Sequence, residues 1–467
     1  MSNHLNKLRL SPQQLAIANE KRLARQAKKL NQQGNTEDAN RNPQHLARPW
    51  VSLFKPMDAE AYVVKVMTWN ILAQCLVRSD LFPTSGKARK AGEREGLIHS
   101  ELVASNADIL CLQEVDRLDR LLPVLENAGY SHSYAAGPAK PHGCLVAFKR
   151  DTLRKINEKV IQYDNAEIRR DATGVSPEAR IASTHRTKNI GFLVALESVG
   201  SKRMGYIVAT THLFWHPASD LKWFRQAGIL LRETISWRES ISLQDWPCII
   251  AGDFNFSPED PAYSLLVGDP LSVEQKHRLD ASRVVHVSID PTVLATTKME
   301  PEEEGEQTDP DRVIRNSRVA KAADGLLSDP ELLKLFPCSL RSAYDEGQRA
   351  ARALTPLGDM ATFSDRTSFP VERLGAYEPM WTSYTHFWQS TLDYIFFLDS
   401  RRSKTEVTGY LRPHYLKDVA LGLPQLHVCG SDHFSLCAQL STLSSCPGQD
   451  EQLRTEIHEK NCTSDSL

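Results

Sequence analysis

The chain has 467 residues, of which 41% are hydrophobic and 24% are charged, and its formal net charge is −2. These values are typical of a globular protein with one large domain or two to three ordinary ones, and the overall charge argues neither for nor against nucleic acid. The nine cysteines lack paired zinc-type spacing, and no apolar run approaches the roughly 20 residues that a membrane span needs. We therefore expect reduced intracellular thiols and no membrane partner.

Residues 1–60 are predicted to form a basic, partly helical extension. The first 49 residues contain nine Lys or Arg and three acidic residues, and a helical pattern runs from Ser11 to Gly34. This segment is either a solvated surface helix or an arm that contacts RNA or an import receptor. It lacks the apolar centre of a secretory signal, and Glu20 makes it a poor mitochondrial presequence. We expect the cytoplasm or the nucleus.

From Tyr62 onward, apolar β-rich stretches alternate with helical ones. Strands are predicted at 61–72, 108–115, 144–149, 189–198, 206–215, 248–255, 391–398 and 433–440. Helices are predicted at 94–107, 118–130 and 220–240, the last with an apolar face of Phe224, Ala227, Leu231 and Ile235. Residues 61–441 are therefore predicted to be one α/β domain.

This predicted domain is interrupted where the regular pattern weakens, between about 268 and 358. Within that region, residues 296–316 are acidic and carry two prolines, which predicts a disordered insertion. Residues 442–467 are predicted to be a flexible tail.

Short polar residues occur at the ends of these strands. They are Asn70, Glu114, His212, Asp253, Asn255, Asp393, Asp432 and His433. Each one alone is most often a turn, cap or structural residue, but ligand sites in α/β proteins also collect at strand ends. Carboxylates and carboxamides without cysteine favour Mg²⁺ or Mn²⁺, and the two histidines suit proton transfer or anion binding. Together they indicate attack of water on a phosphoester.

Six motifs in order carry a family resemblance: TWNILA, LCLQEVD, THLFWHP, GDFN, LDYIF and SDHF. They resemble the endonuclease/exonuclease/phosphatase superfamily, and within it the deadenylase branch that includes nocturnin and the fungal Ngl-type RNA exonucleases. The LFPTSGKARK stretch and the basic arm are similar to the Ngl type. The resemblance implies a DNase I-like α/β fold, a two-layer sandwich of facing mixed β-sheets flanked by helices, with the site at one open edge.

The resemblance also implies roles for the strand-end residues. Three would hold metal: Glu114 as the main Mg²⁺ ligand, Asn70 beside it, and Asp432 in support. Five would be catalytic: Asp253 and Asn255 orient water and phosphate, His212 donates to phosphoryl oxygens, and Asp393 holds His433. Whether His433 or Asp253 deprotonates the water, and whether Asp253 touches a second metal, stays open.

The activity implied is that of a Mg²⁺-dependent 3′–5′ exoribonuclease, with Mn²⁺ as a substitute, that releases 5′-mononucleotides and trims a structured RNA such as a ribosomal RNA precursor. The expected partner is an RNA 3′ end, and nothing indicates an oligomer. A poly(A) deadenylase and a nocturnin-type dinucleotide phosphatase are the alternatives. The substrate-binding candidates are Asn189, Pro217, Trp388, Lys140 and His142, although Trp388 also suits a half-buried core position and the two basic residues suit a plain surface loop.

Overall fold

The computed structural model describes residues 44–53, 61–170, 173–293, 316–354 and 370–444. The helix predicted between residues 11 and 34, nearly all of the acidic insertion and the tail after residue 444 lie outside these ranges. Strands and helices are numbered below in chain order, as they occur in the described residues.

The first sheet has seven strands and is mixed. Its strands are β1 (Trp50–Ser52), β2 (Tyr62–Asn70), β3 (Ile109–Val115), β4 (Tyr130–Ala136), β5 (Gly143–Lys149), β16 (Ser403–Leu411) and β17 (Leu436–Ser444). Their spatial order is β1-β16-β17-β2-β3-β5-β4. Because β2 and β3 run parallel, their carboxyl ends lie at the same edge of the sheet.

The second sheet has six strands and is also mixed. Its strands are β6 (Leu153–Gln162), β7 (Ile190–Ser198), β8 (Ser201–His212), β9 (Cys248–Asp253), β12 (Arg341–Ser342) and β15 (Asp393–Leu398). Their spatial order is β12-β15-β9-β8-β7-β6. Since β8 and β9 are parallel while β15 is antiparallel to β9, the ends of β8 and β9 meet the start of β15. Two hairpins complete the strands: β10 (Val284–His286) with β11 (Ser317–Val319), and β13 (Ser383–Tyr384) with β14 (Gln389–Ser390).

The two sheets face each other across one hydrophobic core. Val66 and Leu112 of the first sheet and Val208, Ile249 and Ile395 of the second belong to the same buried cluster, each no more than 1% exposed. Alternate residues of a strand point to opposite faces, so these positions form the inner layer. Full burial stabilises each such side chain by roughly 1.5–3 kcal/mol. The predicted two-layer sandwich of facing mixed sheets is confirmed.

Helices cover the outside of the sandwich. They are α1 (Ala91–Ser105), α2 (Leu118–Asn127), α3 (Pro177–Ile181), α4 (Asp220–Ser240), α5 (Pro261–Val267), α6 (Val273–Ala281), α7 (Asp329–Leu333), α8 (Ala343–Leu354) and α9 (Leu416–Val419). Helices α1 and α2 pack on the first sheet through Leu102 and Leu125. Helix α4 packs on the second sheet through Trp223, Ala227 and Leu230.

Helix α4 is buried on more sides than its sequence pattern predicts. Besides the apolar face, Lys222 and Arg225 are only 2% and 1% exposed. The cause is the region after residue 268, because Leu279 of α6 and Leu332 of α7 pack against Phe224. Although its pattern weakens in sequence, this region supplies helices that form a second layer over α4.

The sandwich also begins earlier in the chain than residue 61. Strand β1 pairs with β16, and Arg48 donates to Glu101 at 2.6 Å with both side chains 3% exposed. Arg48 also donates to the carbonyl of Ser435 at 2.8 Å. Residues 44–53 are thus part of the body of the domain, and β17 extends it to Ser444. Within the described ranges, no helix combines the length and apolarity that a bilayer span requires.

Candidate active site

Three predicted residues lie in one row across the second sheet. His212, the last residue of β8, is the register partner of Asp253, the last residue of β9. Asp253 is in turn the partner of Asp393, the first residue of β15. Gly252 permits this close packing, because a Cβ at that position would lie 2.3 Å from the carbonyl oxygen of Thr211. Parallel and antiparallel pairing therefore bring two carboxylates and an imidazole to one edge.

Asn70 and Glu114 lie at the facing edge of the first sheet. Asn70 ends β2, and Glu114 sits where the register between β3 and β5 shifts. The backbone of Glu114 is left-handed, with φ 58°, which a non-glycine residue seldom adopts. Its neighbour Gln113 donates to Thr68 and Thr210 inside the sandwich, so the bulge lets two successive polar side chains face the interior.

The carboxamide of Asn70 joins the two sheets. Its Nδ2 donates to Glu114 Oε1 at 3.2 Å and to Asp253 Oδ2 at 2.8 Å. Its Oδ1 accepts from the backbone N–H of Leu72 at 3.0 Å, and the N–H of Ala73 donates to Glu114 Oε2 at 2.9 Å. The turn after β2 therefore fixes both Asn70 and Glu114.

His433 and Asp393 form a buried pair. His433 Nδ1 lies 2.7 Å from Asp393 Oδ2, and His433 Nε2 lies 3.9 Å from Asp253 Oδ2. Ser431 donates to the backbone oxygen of Asn70 at 2.6 Å and to Asp432 Oδ1 at 3.3 Å. The turn before β17 is thereby tied to the end of β2. The Asp393–His433 contact is the one that the resemblance implied, and its catalytic role stays a prediction.

Burial and like charge dominate the electrostatics of this edge. Burial and the charge of Asp432 raise the pKa of Glu114. Burial and Asp393 raise the pKa of Asp253 to about 8. Burial lowers the pKa of His433, but Asp393, Asp432 and Asp253 outweigh it and hold that pKa well above its usual value. The site is thus a buried cluster of acids that favours an added positive charge.

The side chains present fit a divalent cation. Asp253, Asp393 and His433 form a group whose ligand atoms all lie within 4.8 Å of one another. The Oδ1 atom of Asp393 is buried and has no hydrogen-bond partner among the described residues. Asn70 also donates to Glu114, which brings a further carboxylate to the edge of this group. Sets of ligands that are rich in oxygen suit Mg²⁺. The resemblance implied Glu114, Asn70 and Asp432 as metal ligands, and Asn70 links Glu114 to Asp253 of the compact triad.

His212 closes the site on the side of β8. Its Nδ1 lies 3.8 Å from Glu114 Oε1, and its Nε2 lies 3.6 Å from Asp253 Oδ2. Burial, assisted by Lys140, His142 and His433, lowers the pKa of His212 well below its usual value. A neutral imidazole in this position offers one N–H to an anion.

Asn255 differs from the sequence expectation, whereas Phe254 agrees with it. Strand β9 ends at Asp253 rather than continuing through Asn255, whose backbone is left-handed with φ 55°. The N–H of Asn255 donates to Asp253 Oδ1 at 3.0 Å, and its Nδ2 donates to the carbonyl of Leu213 at 3.0 Å. Asn255 thus braces the strand ends. Phe254 is fully buried in the outer core of the second sheet, as predicted.

Three substrate-binding candidates meet at a small cavity beside this edge. Lys140, His142 and Asn189 line it together with Glu114 and His212. Asn189 Nδ2 donates to the carbonyl of His212 at 2.6 Å, and the rings of His142 and His212 lie 6.4 Å apart. Burial lowers the pKa of Lys140. The two basic residues lie on a loop that forms part of the site's wall, and their contact with a substrate stays a prediction.

The other two candidates lie on loops around the site. Trp388 is half-buried: its Nε1 donates to Ser383 Oγ at 3.1 Å, and its ring meets Phe82 edge-on at 6.0 Å. Ser383 pairs with His433, so Trp388 lies next to the site. Pro217 is exposed on the loop after β8, and its approach to a base stays a prediction.

Sequence reasoning missed Arg94. This side chain is 2% exposed and donates to Gly430 O at 2.6 Å and to Ile71 O at 2.7 Å. It also donates to Leu72 O and to Gln74 Oε1. It therefore links the turn after β2 with the turn before β17. A charged residue at a helix start is ordinary in sequence, and only the tertiary fold reveals these acceptors.

Comparison with known proteins agrees with this geometry. The profile of the Endonuclease/Exonuclease/phosphatase family matches residues 67–433. The probable RNA exonuclease C9B6.11c of Schizosaccharomyces pombe is 27% identical over 410 residues, covering 84% of this chain and 78% of the relative. RNA exonuclease NGL2 of Saccharomyces cerevisiae is 24% identical over 478 residues, covering 92% and 89%.

A solved structure shares the fold. The crystal structure of ANGEL2, described as a 2′,3′-cyclic phosphatase, superposes with a TM-score of 0.53 at 21% identity and covers 85% of this chain and 99% of its own. Because the family profile spans most of the chain, from the first motif to His433 of the last, the protein belongs to the endonuclease/exonuclease/phosphatase family.

Proposed function

We propose that this protein is a Mg²⁺-dependent 3′–5′ exoribonuclease that releases 5′-mononucleotides from the 3′ end of a structured RNA, such as a ribosomal RNA precursor. The observation that carries the proposal is the convergence of Glu114, Asn70, Asp253 and the Asp393–His433 pair where the two sheets meet. Family membership supports a hydrolase acting on phosphodiester bonds. The names of two relatives, both RNA exonucleases, support RNA as the substrate.

In this mechanism the chain supplies positioning and proton transfer. Glu114 and Asp253, spaced by Asn70, would hold the cation, and Asp393 keeps His433 oriented with Nε2 toward Asp253. When bound, Mg²⁺ neutralises phosphate oxygens and lowers the pKa of a coordinated water. A bound cation would lower both raised pKa values, so that His433 or Asp253 would take the proton of the attacking water while the bond from phosphorus to the 3′ oxygen breaks in line and that oxygen gains a proton from solvent. The released nucleotide keeps its 5′ phosphate.

His212 contributes charge stabilisation in this scheme. It is neutral, faces the gap between Glu114 and Asp253, and is held through its carbonyl by Asn189. Its N–H is available to a non-bridging phosphate oxygen as negative charge grows there. Removal of one such donor typically costs about 10²–10³-fold in turnover.

An RNA chain would approach beside the β13–β14 hairpin. That hairpin pairs with His433 through Ser383 and carries Trp388 and, at its tip, Phe387, which is 58% exposed. The structure thus presents Phe387 more openly than the predicted stacking residue, Trp388. Aromatic rings at such a site stack on bases with about 1–3 kcal/mol per base.

The proposal is tested with 3′-labelled RNA. Poly(A), mixed-sequence RNA and DNA of equal length are incubated with the protein in Mg²⁺, and products are separated by chromatography. We expect labelled 5′-mononucleotide from both RNAs and little cleavage of DNA. Glu114→Gln, which keeps the shape of the side chain, should lose at least 10³-fold in rate. Equal cleavage of DNA would overturn the assignment to RNA, and cleavage of poly(A) alone would indicate a deadenylase.

A second candidate activity is removal of a phosphate from a dinucleotide. The small basic cavity of Lys140, His142 and Lys188, which also includes Glu114 and His212, favours it because a compact phosphate fits such a wall. Inorganic phosphate released from a phosphorylated dinucleotide, without mononucleotide from RNA, would select this activity.

A further inference from the structure

A row of aromatic rings extends from the loop after His212. The rings of His286 and His185 stack at 3.7 Å with planes 19° apart, and His185 lies 4.8 Å from Phe214. Phe214 is followed by Trp215 and His216, whose rings lie 5.3 Å apart. We call these five residues the ring row. Trp215 is its exposed member, with 58% of its surface accessible.

The backbone under the ring row is held by helix α4. Gln226 accepts from the N–H of Phe214 at 3.0 Å and donates to Thr187 at 3.0 Å. Trp223 donates to the carbonyl of Phe214 at 2.5 Å, and Lys222 donates to the carbonyl of His185. Both loops that carry the rings are thereby fixed by buried polar side chains. A surface held in place before binding loses little conformational entropy when a ligand stacks on it.

The charge around the ring row favours a polyanion. Arg186 and Lys188 are exposed on the same loop as His185, next to Asn189 of the site. Burial, with His286 and Lys222, lowers the pKa of His185 to about 3, so this ring is neutral where it stacks on His286. Exposed cations on a loop that also carries a stacked aromatic ring are typical of single-stranded nucleic-acid binding.

We propose that Trp215 stacks on a base of the RNA strand upstream of the scissile phosphate and so makes binding dependent on RNA length. This inference rests on the proposed function. Trp215 is three residues from His212, so their Cα atoms are at most about 11 Å apart. That distance corresponds to about three nucleotides of a stacked strand at about 3.4 Å each. Because this bound is at most about three base steps, an octamer that occupies the site is long enough to reach Trp215, and we expect a dinucleotide to contact it far less.

The experiment compares adenosine oligomers of two and eight nucleotides with wild type, Trp215→Ala and Trp215→Phe. Affinity is measured by fluorescence anisotropy in EDTA, which needs no hydrolysis, and kcat/KM is measured in Mg²⁺. We expect Trp215→Ala to weaken octamer binding by about 5- to 100-fold. In Trp215→Ala, the ratio of kcat/KM for the octamer to kcat/KM for the dinucleotide should fall by a similar factor, mainly because KM for the octamer rises. Trp215→Phe should restore most of the lost ratio. Val319→Ala, at a site 78% exposed on β11, is the control and should change neither.

The outcomes separate this inference from the function on which it rests. If the wild type cleaves RNA but the octamer-to-dinucleotide ratio of Trp215→Ala is unchanged, the stacking role is wrong and the exoribonuclease stands. If octamer binding in EDTA depends on Trp215 but no mononucleotide appears in Mg²⁺, the proposed function fails while the RNA contact stands. Equal loss for both oligomers would assign Trp215 to the support of His212 and overturn the length argument.

Discussion

Arg94 offers a sharp test of how the site is built, because it contacts no predicted catalytic side chain and still holds two site loops. Substitution Arg94→Met keeps the length of the side chain and removes every donor. Three buried backbone carbonyls, those of Ile71, Leu72 and Gly430, then lose a partner. Burial lowers the pKa of Arg94, against the charges of Asp432, Glu114 and Asp116.

The expected magnitude follows from these bonds. Each buried acceptor left without a partner costs about 1–3 kcal/mol. The costs of the three carbonyls are not additive, and removing one member of a buried charged network costs about 3–5 kcal/mol in all. We therefore expect Arg94→Met to lose about 3–5 kcal/mol of unfolding free energy. Because Ala73 in the same turn donates to Glu114, a shift of about 1 Å should also lower turnover by about 10²-fold.

Urea unfolding followed by circular dichroism gives the stability, and initial rates on RNA, taken well below the unfolding transition, give turnover. Arg94→Lys keeps the charge but replaces the planar fork by a point donor, so we expect it to recover part of the stability and little of the turnover. Arg120→Met, at a side chain 61% exposed, is the control and should change stability by less than about 0.5 kcal/mol. Stability within about 1 kcal/mol of wild type, with unchanged turnover, would refute the positioning role.

Three further predictions concern metal, packing and pH. Mg²⁺ at 100-fold over its Kd should stabilise the wild type and the exposed control Glu126→Gln by about 2.7 kcal/mol, but not Glu114→Gln, as read by calorimetry. Gly252→Ala should lower the stability of the protein by several kcal/mol in thermal melts, because the added Cβ would lie 2.3 Å from the backbone of Thr211. Gly92→Ala in α1 is the control: its Cβ would meet no atom of the described residues within 4 Å, and it should raise stability by about 0.5–1 kcal/mol. Burial and Asp260 raise the pKa of Asp220 to about 7, so this carboxyl lowers stability as the pH rises from about 4 to 7. The stability advantage of Asp220→Asn over the wild type should therefore grow by on the order of 1–2 kcal/mol as the pH rises from 5 to 7. An equal advantage at both pH values would contradict this.

Local patterns were sufficient to predict the strand ends of the site. Apolar runs such as Ile109–Leu112 mark buried strands, and pairing brings their ends to one edge, so His212, Asp253 and Asp393 fall in a row as a sheet requires. The sandwich itself followed from the family resemblance. These inferences succeeded because strand pairing and burial act through regular spacing along the chain.

Features that depend on distant contacts could not be predicted. The left-handed backbone of Glu114 arises from a bulge against β5, and nothing in the ILCLQEV stretch marks it. The sequence of helix α4 predicts one apolar face only. Its second side is covered by residues after 268, which lie far away in sequence. The same holds for Arg48, whose partner Glu101 is on α1. In each case the backbone conformation or burial of the residue depends on a partner distant in sequence and not on the residue type.

The role of Asn70 shows why this edge needs a carboxamide. Glu114 and Asp253 come from opposite sheets, and burial is the largest cause of the raised pKa of each, so placing these two carboxyl groups in the interior is costly unless they are hydrogen-bonded. The two N–H donors of one neutral Nδ2 atom satisfy both of them, at 3.2 and 2.8 Å. An aspartate there would add a third negative charge, and an alanine would leave two buried acceptors without partners. Asparagine therefore joins the two sheets at this edge through its Nδ2 atom, while its oxygen accepts from the N–H of Leu72.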